Sequence, residues 1–337
     1  MKQRGKSSIV FDDVYLTSYA CVSGPLEMKG PLGEYIDAGY DKLNCNQNSW
    51  EKAEATLMKD AIELALLKGD YEKNDISIIM SGDLNNQIAI TSYVMRDFAA
   101  PCIGLYGACS TSCLSLINGS VYIDNGFGKI AVCTTSSHNA TSERQFRYPT
   151  EYGGQKPTSI TFTATGAGAG IVSKEKKKAK IKVTRATIGQ IIDAGVSDPL
   201  DMGRSMAPAA AMTFKQHLDD FHINANEYDL VITGDLSKYG SIVFEDILKE
   251  WGIDVSNRHF DAGCLLYNAK KQKVFAGGSG CACAALVMYG YLCHELAHKK
   301  LKKVLVLATG ALHNPVMLAQ KETIPCIAHA IALEGVE

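Results

Sequence analysis

The chain holds eleven cysteines, and Cys109 is the one whose surroundings favour reactivity. It lies in Gly107-Ala108-Cys109-Ser110-Thr111-Ser112, a run of small residues that follows a short apolar stretch and opens a helical one. Backbone N–H groups and the dipole at a helix start favour a thiolate, so this position predicts a lowered thiol pKa. The same N–H groups suit a carboxylate. Three histidines are placed to serve a site: His138 after a β-like run, His313 in a similar His-Asn context, and His329 in the last apolar run. His313 is the weakest of these, because a proline-containing loop follows it. Arg144 and Arg147 carry guanidinium forks that match carboxylates bidentately. Tyr148 offers a stacking face and Lys156 a further cation. Asp235, in Thr233-Gly234-Asp235, is awkward beside an anion and could instead orient His329 or an arginine, accept from the backbone or join a calcium ion. Plainer roles compete: Arg144 and Arg147 as ion-pair partners of Glu143 and Glu151, and His138 as a hydrogen-bonded core histidine.

The elements that must position these residues occur twice. Ile76-Ser77-Ile78-Ile79-Met80-Ser81-Gly82-Asp83 and Leu230-Val231-Ile232-Thr233-Gly234-Asp235 are short β-branched runs closed by Gly-Asp, with Leu84 and Leu236 in register 152 residues apart. Each follows about 17 residues with helical apolar spacing, such as Ala61, Leu64, Leu66 and Leu67. A second match pairs Cys133-Thr134-Thr135-Ser136-Ser137-His138-Asn139 with Ala308-Thr309-Gly310-Ala311-Leu312-His313-Asn314, 175 residues on. Before each lies a helix that begins in small residues, at Cys109 in one half and at Cys281 in the other. Strands and helices alternating in this order imply βαβ units with buried parallel strands, arranged as two pseudo-twofold halves. Residues 141–165 mix charges, aromatics and turn residues without periodicity and read as an ordered inserted loop of the kind that covers sites. Lys174-Glu175-Lys176-Lys177-Lys178 reads as a solvated hairpin.

Composition narrows the function classes. With 34 basic and 36 acidic residues the formal net charge is -2, which excludes the basic stripe of a nucleic-acid binder. Acidic residues interrupt the N-terminal segment before it can form a signal peptide, and no run reaches 18 apolar residues. The cysteines sit in apolar or small-residue segments and read as reduced thiols. Cys281-Ala282-Cys283 has no second ligand pair nearby, so no metal site is expected.

Gly107-Ala108-Cys109-Ser110-Thr111 resembles the nucleophile turn of thiolases and ketoacyl synthases. Thr165-Gly166-Ala167-Gly168-Ala169-Gly170 resembles the small-residue strand closing their first half, and Pro325-Cys326-Ile327-Ala328-His329 their last strand. The resemblance implies a thiolase-like α/β fold: two pseudo-twofold halves with mostly parallel central sheets in αβαβα layers. The first half is expected over residues 1–180, with the Cys109 turn and the 141–165 loop, and the second over 181–337. Condensing enzymes pair their cysteine with His-His or His-Asn to stabilise an enolate and its oxyanion. Here Asp235 stands where a histidine is expected, and Gly277-Gly278-Ser279-Gly280 holds neither asparagine nor histidine. A carboxylate repels an oxyanion, so a non-catalytic member of the fold is expected. The alternative is a cysteine-dependent acyl-thioester transferase or condensing enzyme that uses Cys109 with His138 or His329 as base.

Longer segments resemble the stage V sporulation protein AD family of spore-forming bacteria. They include Gly104 to Ser112, Ser136 to Thr141, Arg144 to Pro157, Met206 to Ala211 and Ala276 to Cys283. That resemblance implies a protein that binds dipicolinic acid (pyridine-2,6-dicarboxylate) and supports its uptake into the developing spore. It would work with membrane-embedded stage V sporulation proteins of the same operon, on the cytoplasmic side of the forespore or spore inner membrane, soluble or peripheral. No nucleic acid and no cofactor are expected, with calcium only as the ligand's counterion. A homodimer follows by analogy with condensing enzymes. The ligand-binding set expected on this basis is Cys109, His138, Arg144, Arg147, Tyr148, Lys156, Asp235 and His329.

Overall fold

The structure, a computed structural model, describes residues 1–146 and 156–336. Ten strands carry it: β1 (Tyr15–Ser23), β2 (Ile76–Gly82), β3 (Cys102–Gly104), β4 (Ile130–Ser137), β5 (Gly166–Ser173), β6 (Ile181–Ile188), β7 (Leu230–Thr233), β8 (His259–Asp261), β9 (Lys303–Ala311) and β10 (Pro325–Gly335). Their order across the sheet is β8-β7-β9-β10-β6-β1-β5-β4-β2-β3. Adding five to each label of one half generates the other, so the repeat in the sequence is a repeat in topology. The outer three strands of each half run parallel, and the inner ones pair antiparallel. The halves join where Ile181 and Lys182 of β6 face Leu16 and Tyr15 of β1.

Both faces of these strands are covered, which explains their near-continuous apolar runs. Along β9, Leu305 and Leu307 join one core while Val304, Val306 and Ala308 join another; along β2, Ile79 points away from Ile78 and Met80. Helices α1 (Trp50–Lys68) and α5 (Met202–Phe221) cover the outer faces of the two halves. Helix α3 (Thr111–Asp124) lies between the half-sheets, touching β2, β4 and β5 on one side and β9 and β10 on the other. Helix α7 (Cys281–Leu286) packs beside it on β4 and β5, giving five layers. The glycines of β5 admit this packing: a Cβ on Gly168 or Gly170 would lie 2.6 Å from the Tyr289 ring on the path that continues α7.

Two local expectations change. The segment from residue 141 is helical at its start, because α4 (Asn139–Phe146) is capped by His138, whose Nδ1 accepts from Ala140 N–H. The lysine-rich segment is a crossover and not a hairpin: β1 lies between β5 and β6, so the chain passes over its end. Lys178 is held there by the carbonyls of Gly69 and Asp70 and by the Tyr71 ring.

Candidate functional site

β3 ends at Gly104, and the chain turns sharply into α3 with Ala108 left-handed at φ 47°. The turn is fastened from within: Ser110 Oγ donates to Gly107 O at 2.6 Å and Thr111 Oγ1 to Ala108 O at 2.7 Å. It is also pressed onto the second half. Cys281 Sγ lies 3.1 Å from Ala108 O, and a Cβ on Gly310 of β9 would sit 2.2 Å from Gly107 O. The amides of Ser110 and Thr111 donate to Gly107 O and Ala108 O, so these two are not open to an anion.

Asp235 comes to the same place from the second half, just past β7, and is 1% exposed. Its Oδ1 accepts from Thr309 Oγ1 at 2.5 Å and its Oδ2 from Gly280 N–H at 3.2 Å, while its carboxyl faces the Cys109 thiol. Burial pushes Asp235 up to about 6, against the pull of Thr309, Cys109 and Gly280. Behind it Asp261 accepts from the amides of Leu236 and Ser237 and from Thr233 Oγ1. Burial raises this carboxyl to about 6 as well, with the Asp235 charge adding to the effect.

The expectation of a lowered Cys109 pKa is therefore corrected. Burial, then the Asp235 charge and the neighbouring Cys281, push the thiol well above its ordinary value. Desolvation and a facing carboxylate outweigh the helix start, whose nearest amides are already engaged.

Above Cys109 lies a narrow cavity walled by Leu84, Tyr106, Phe146, Ser142, Ser279 and His313. A wider vestibule shares Tyr106, Phe146 and His313 with it and opens between Asn85–Ile88 and Leu312–Pro315. The Phe146 and His313 ring centroids lie 5.5 Å apart with the planes tilted by 38°. Ser142, at 4% exposure, has a buried hydroxyl with no hydrogen-bond partner among the described residues.

The expected ligand set is only partly assembled here. Cys109 lines the cavity and Asp235 backs it, and His313, ranked below His138 from sequence, lines it too. His138 is buried outside the lining, its Nε2 bonded to Leu43 O and its ring beside Trp50; burial lowers its pKa. His329 sits within β10, accepts from Gly189 N–H and is pushed down to about 4 by burial, with no contact to Asp235. Arg144 is 58% exposed and pairs with Glu51 of α1, and Lys156 pairs with Glu143. Arg147 and Tyr148 lie outside the described residues.

Sequence reasoning missed a buried carboxyl pair beside the cavity. Glu54 of α1 accepts from Ser136 Oγ, Asn85 Nδ2 and Thr141 Oγ1, at 3.0, 3.0 and 2.8 Å. Asp83, the repeat counterpart of Asp235, accepts from Asn85 N–H and Thr91 N–H. Burial and the Asp83 charge raise Glu54. The repeated Gly-Asp pointed to Asp83; nothing in the pattern of α1 distinguished Glu54 from its exposed acids.

Comparison with known proteins agrees with this geometry. The family model for stage V sporulation protein AD matches residues 5–334. Stage V sporulation protein AD of Bacillus subtilis (strain 168) is 50% identical over 335 residues, covering 99% of this chain and 98% of the relative. Among solved structures, a variant of Xanthomonas campestris OleA superposes with a TM-score of 0.62 at 13% identity, covering 97% of this chain and 99% of that one. Human mitochondrial 3-ketoacyl-CoA thiolase gives 0.58 at 14%, covering 96% and 99%. At these identities the two likenesses establish the thiolase-like fold.

Proposed function

Because the chain belongs to the stage V sporulation protein AD family, we propose that it is a non-catalytic thiolase-fold protein that binds dipicolinic acid. In this reading it supports uptake of that molecule into the developing spore, together with membrane-embedded stage V sporulation proteins. The observation that carries the reading is the pairing of Cys109 with Asp235. A thiol held protonated beside a buried carboxylate is a poor nucleophile, and an ionised carboxylate in place of an imidazole repels an enolate oxyanion. What remains is a cavity floored by small residues, walled by Tyr106, Phe146 and His313, and supplied with one unpartnered hydroxyl, Ser142. Aromatic and apolar walls with a few polar groups suit a small aromatic acid. Among the described residues no helix is long and apolar enough to cross a membrane, so contact with the spore membrane would run through partners.

Isothermal titration of the whole chain with dipicolinate, and with picolinate as the one-carboxylate control, tests this. Selective binding that weakens in Ser142→Ala and Cys109→Leu supports the reading. Absence of binding, together with a thioester that acylates Cys109, would replace it with the acyl-transfer alternative.

A further inference from the structure

A site for a carboxylate dianion ordinarily meets it with lysine or arginine. Among the described residues neither lines the cavity or the vestibule. The carboxyl that faces the Cys109 thiol is instead Asp235, an acid. Among the described residues, the groups that face Asp235 are neutral or negative. Cys109 faces it from the α3 turn, Thr309 from β9, Cys283 and the Gly280 amide from α7, Cys326 from β10, and Asp261 from β8. Burial holds the three thiols protonated. Among the described residues on this side no cation offsets the charge of an entering anion, and a proton on a carboxyl does.

A hydrogen-bonded chain leads from the surface to Asp261, whose pKa the Asp235 charge raises. Glu245 on α6 (Ser237–Glu250) has a half-exposed side chain and lies 2.7 Å from His259 Nδ1. His259 Nε2 is 2.9 Å from Thr233 Oγ1, which is 2.7 Å from Asp261 Oδ2. The single hydroxyl proton of Thr233 gives this chain two complete arrangements. In one, Thr233 donates to an Asp261 carboxylate and accepts from His259 as imidazolium, whose Nδ1–H donates to Glu245. In the other, the Nε2 proton has passed to Thr233 and the Thr233 proton to Asp261. His259 is then neutral, still donating from Nδ1 to Glu245. Every bond survives, and one positive charge has moved from the surface to the carboxyl whose neighbouring amides hold the start of Asp235's loop.

We propose that the cavity binds its anionic ligand together with a proton, taken up at the Asp235–Asp261 pair and supplied through Thr233, His259 and Glu245. The inference rests on the reading that a carboxylate ligand occupies the Cys109 cavity. Asp235, behind Cys109, is on this account a positioning residue that sheds its negative charge when it is protonated. Both carboxyls titrate near 6, within reach of the added repulsion of a bound anion at neutral pH.

The test is calorimetric titration of the full chain with dipicolinate at pH 7 to 8, in buffers of differing ionisation enthalpy. The slope of observed heat against buffer ionisation enthalpy should report uptake of about one proton per ligand, and affinity should fall about tenfold per pH unit. In Asp235→Asn both dependences should shrink towards zero. Binding with buffer-independent heat in the unaltered protein overturns the proton coupling and leaves the ligand assignment standing. No binding in any buffer overturns the assignment and the coupling with it. The buffer series needs no variant, so a poorly folding Asp235→Asn does not rescue the idea.

Discussion

Asp235→Asn replaces a buried, ionisable carboxyl by a neutral amide of nearly the same shape. In the folded protein the Asp235 pKa is raised from 3.8 to about 6 by burial. A carboxyl whose folded pKa lies above its unfolded value stabilises the fold fully below the unfolded pKa. That contribution is lost as pH rises through about 6. The gap of about two units corresponds to about 3 kcal/mol at about 1.36 kcal/mol per unit. The variant has no such titration, and its amide can still satisfy its neighbours, accepting from Gly280 N–H and donating to Thr309. Urea unfolding of both proteins from about pH 4 to about pH 8 isolates the effect. The stability difference, variant minus parent, should grow by about 2–3 kcal/mol in the variant's favour across that range, whatever its value at the acid end. Asp261 titrates in the same window in both proteins and largely cancels; removing the Asp235 charge also lowers the Asp261 pKa, which adds in the same direction. A difference that stays flat with pH, or turns against the variant above about pH 6, would refute the claim that an ionised Asp235 is the costly state.

The remaining expectations concern the packing that builds the site. Cys109 in the folded chain should react with iodoacetamide at about pH 7.5 at least tenfold more slowly than in the unfolded chain, and faster once Asp235 is replaced by asparagine, as read by peptide mass mapping. Gly310→Ala places a methyl 2.2 Å from Gly107 O and should destabilise by about 2 kcal/mol or more, with disturbance of the Cys109 turn visible by NMR. Glu54→Ala removes the acceptor shared by Ser136, Asn85 and Thr141 and should cost about 2–4 kcal/mol in urea unfolding. Arg144→Ala, on an exposed pair with Glu51, should cost under about 1 kcal/mol in the same assay.

The contrast between Glu54 and Arg144 shows which parts of the molecule the sequence displays and which it conceals. Periodic apolar runs, the doubled Gly-Asp and the small residues around Cys109 and Cys281 report backbone geometry, and backbone geometry is what the thiolase-like halves share. Local rules therefore sufficed for the two repeated α/β halves, while the place of Asp235 near Cys109 followed from the resemblance to condensing enzymes. Charge roles are not local. Arg144 looked like a carboxylate fork, yet α4 turns it outwards to Glu51, because the helix is oriented by its buried side, Thr141 on Glu54 and Ser142 on the cavity. Helix-start reasoning predicted a lowered Cys109 pKa and failed for the same reason: the sign depends on the carboxyl that faces the sulfur from 126 positions away and on the desolvation of the turn. His329 failed likewise, since a strand position inside β10 points its ring to Gly189 and not to the cavity. The substitution of Asp235 for an imidazole was legible as a departure from condensing enzymes. Its consequence was not, because a carboxyl beside a thiol acts as an oxyanion repellent when ionised and as a hydrogen-bond donor when protonated, and only burial decides between them.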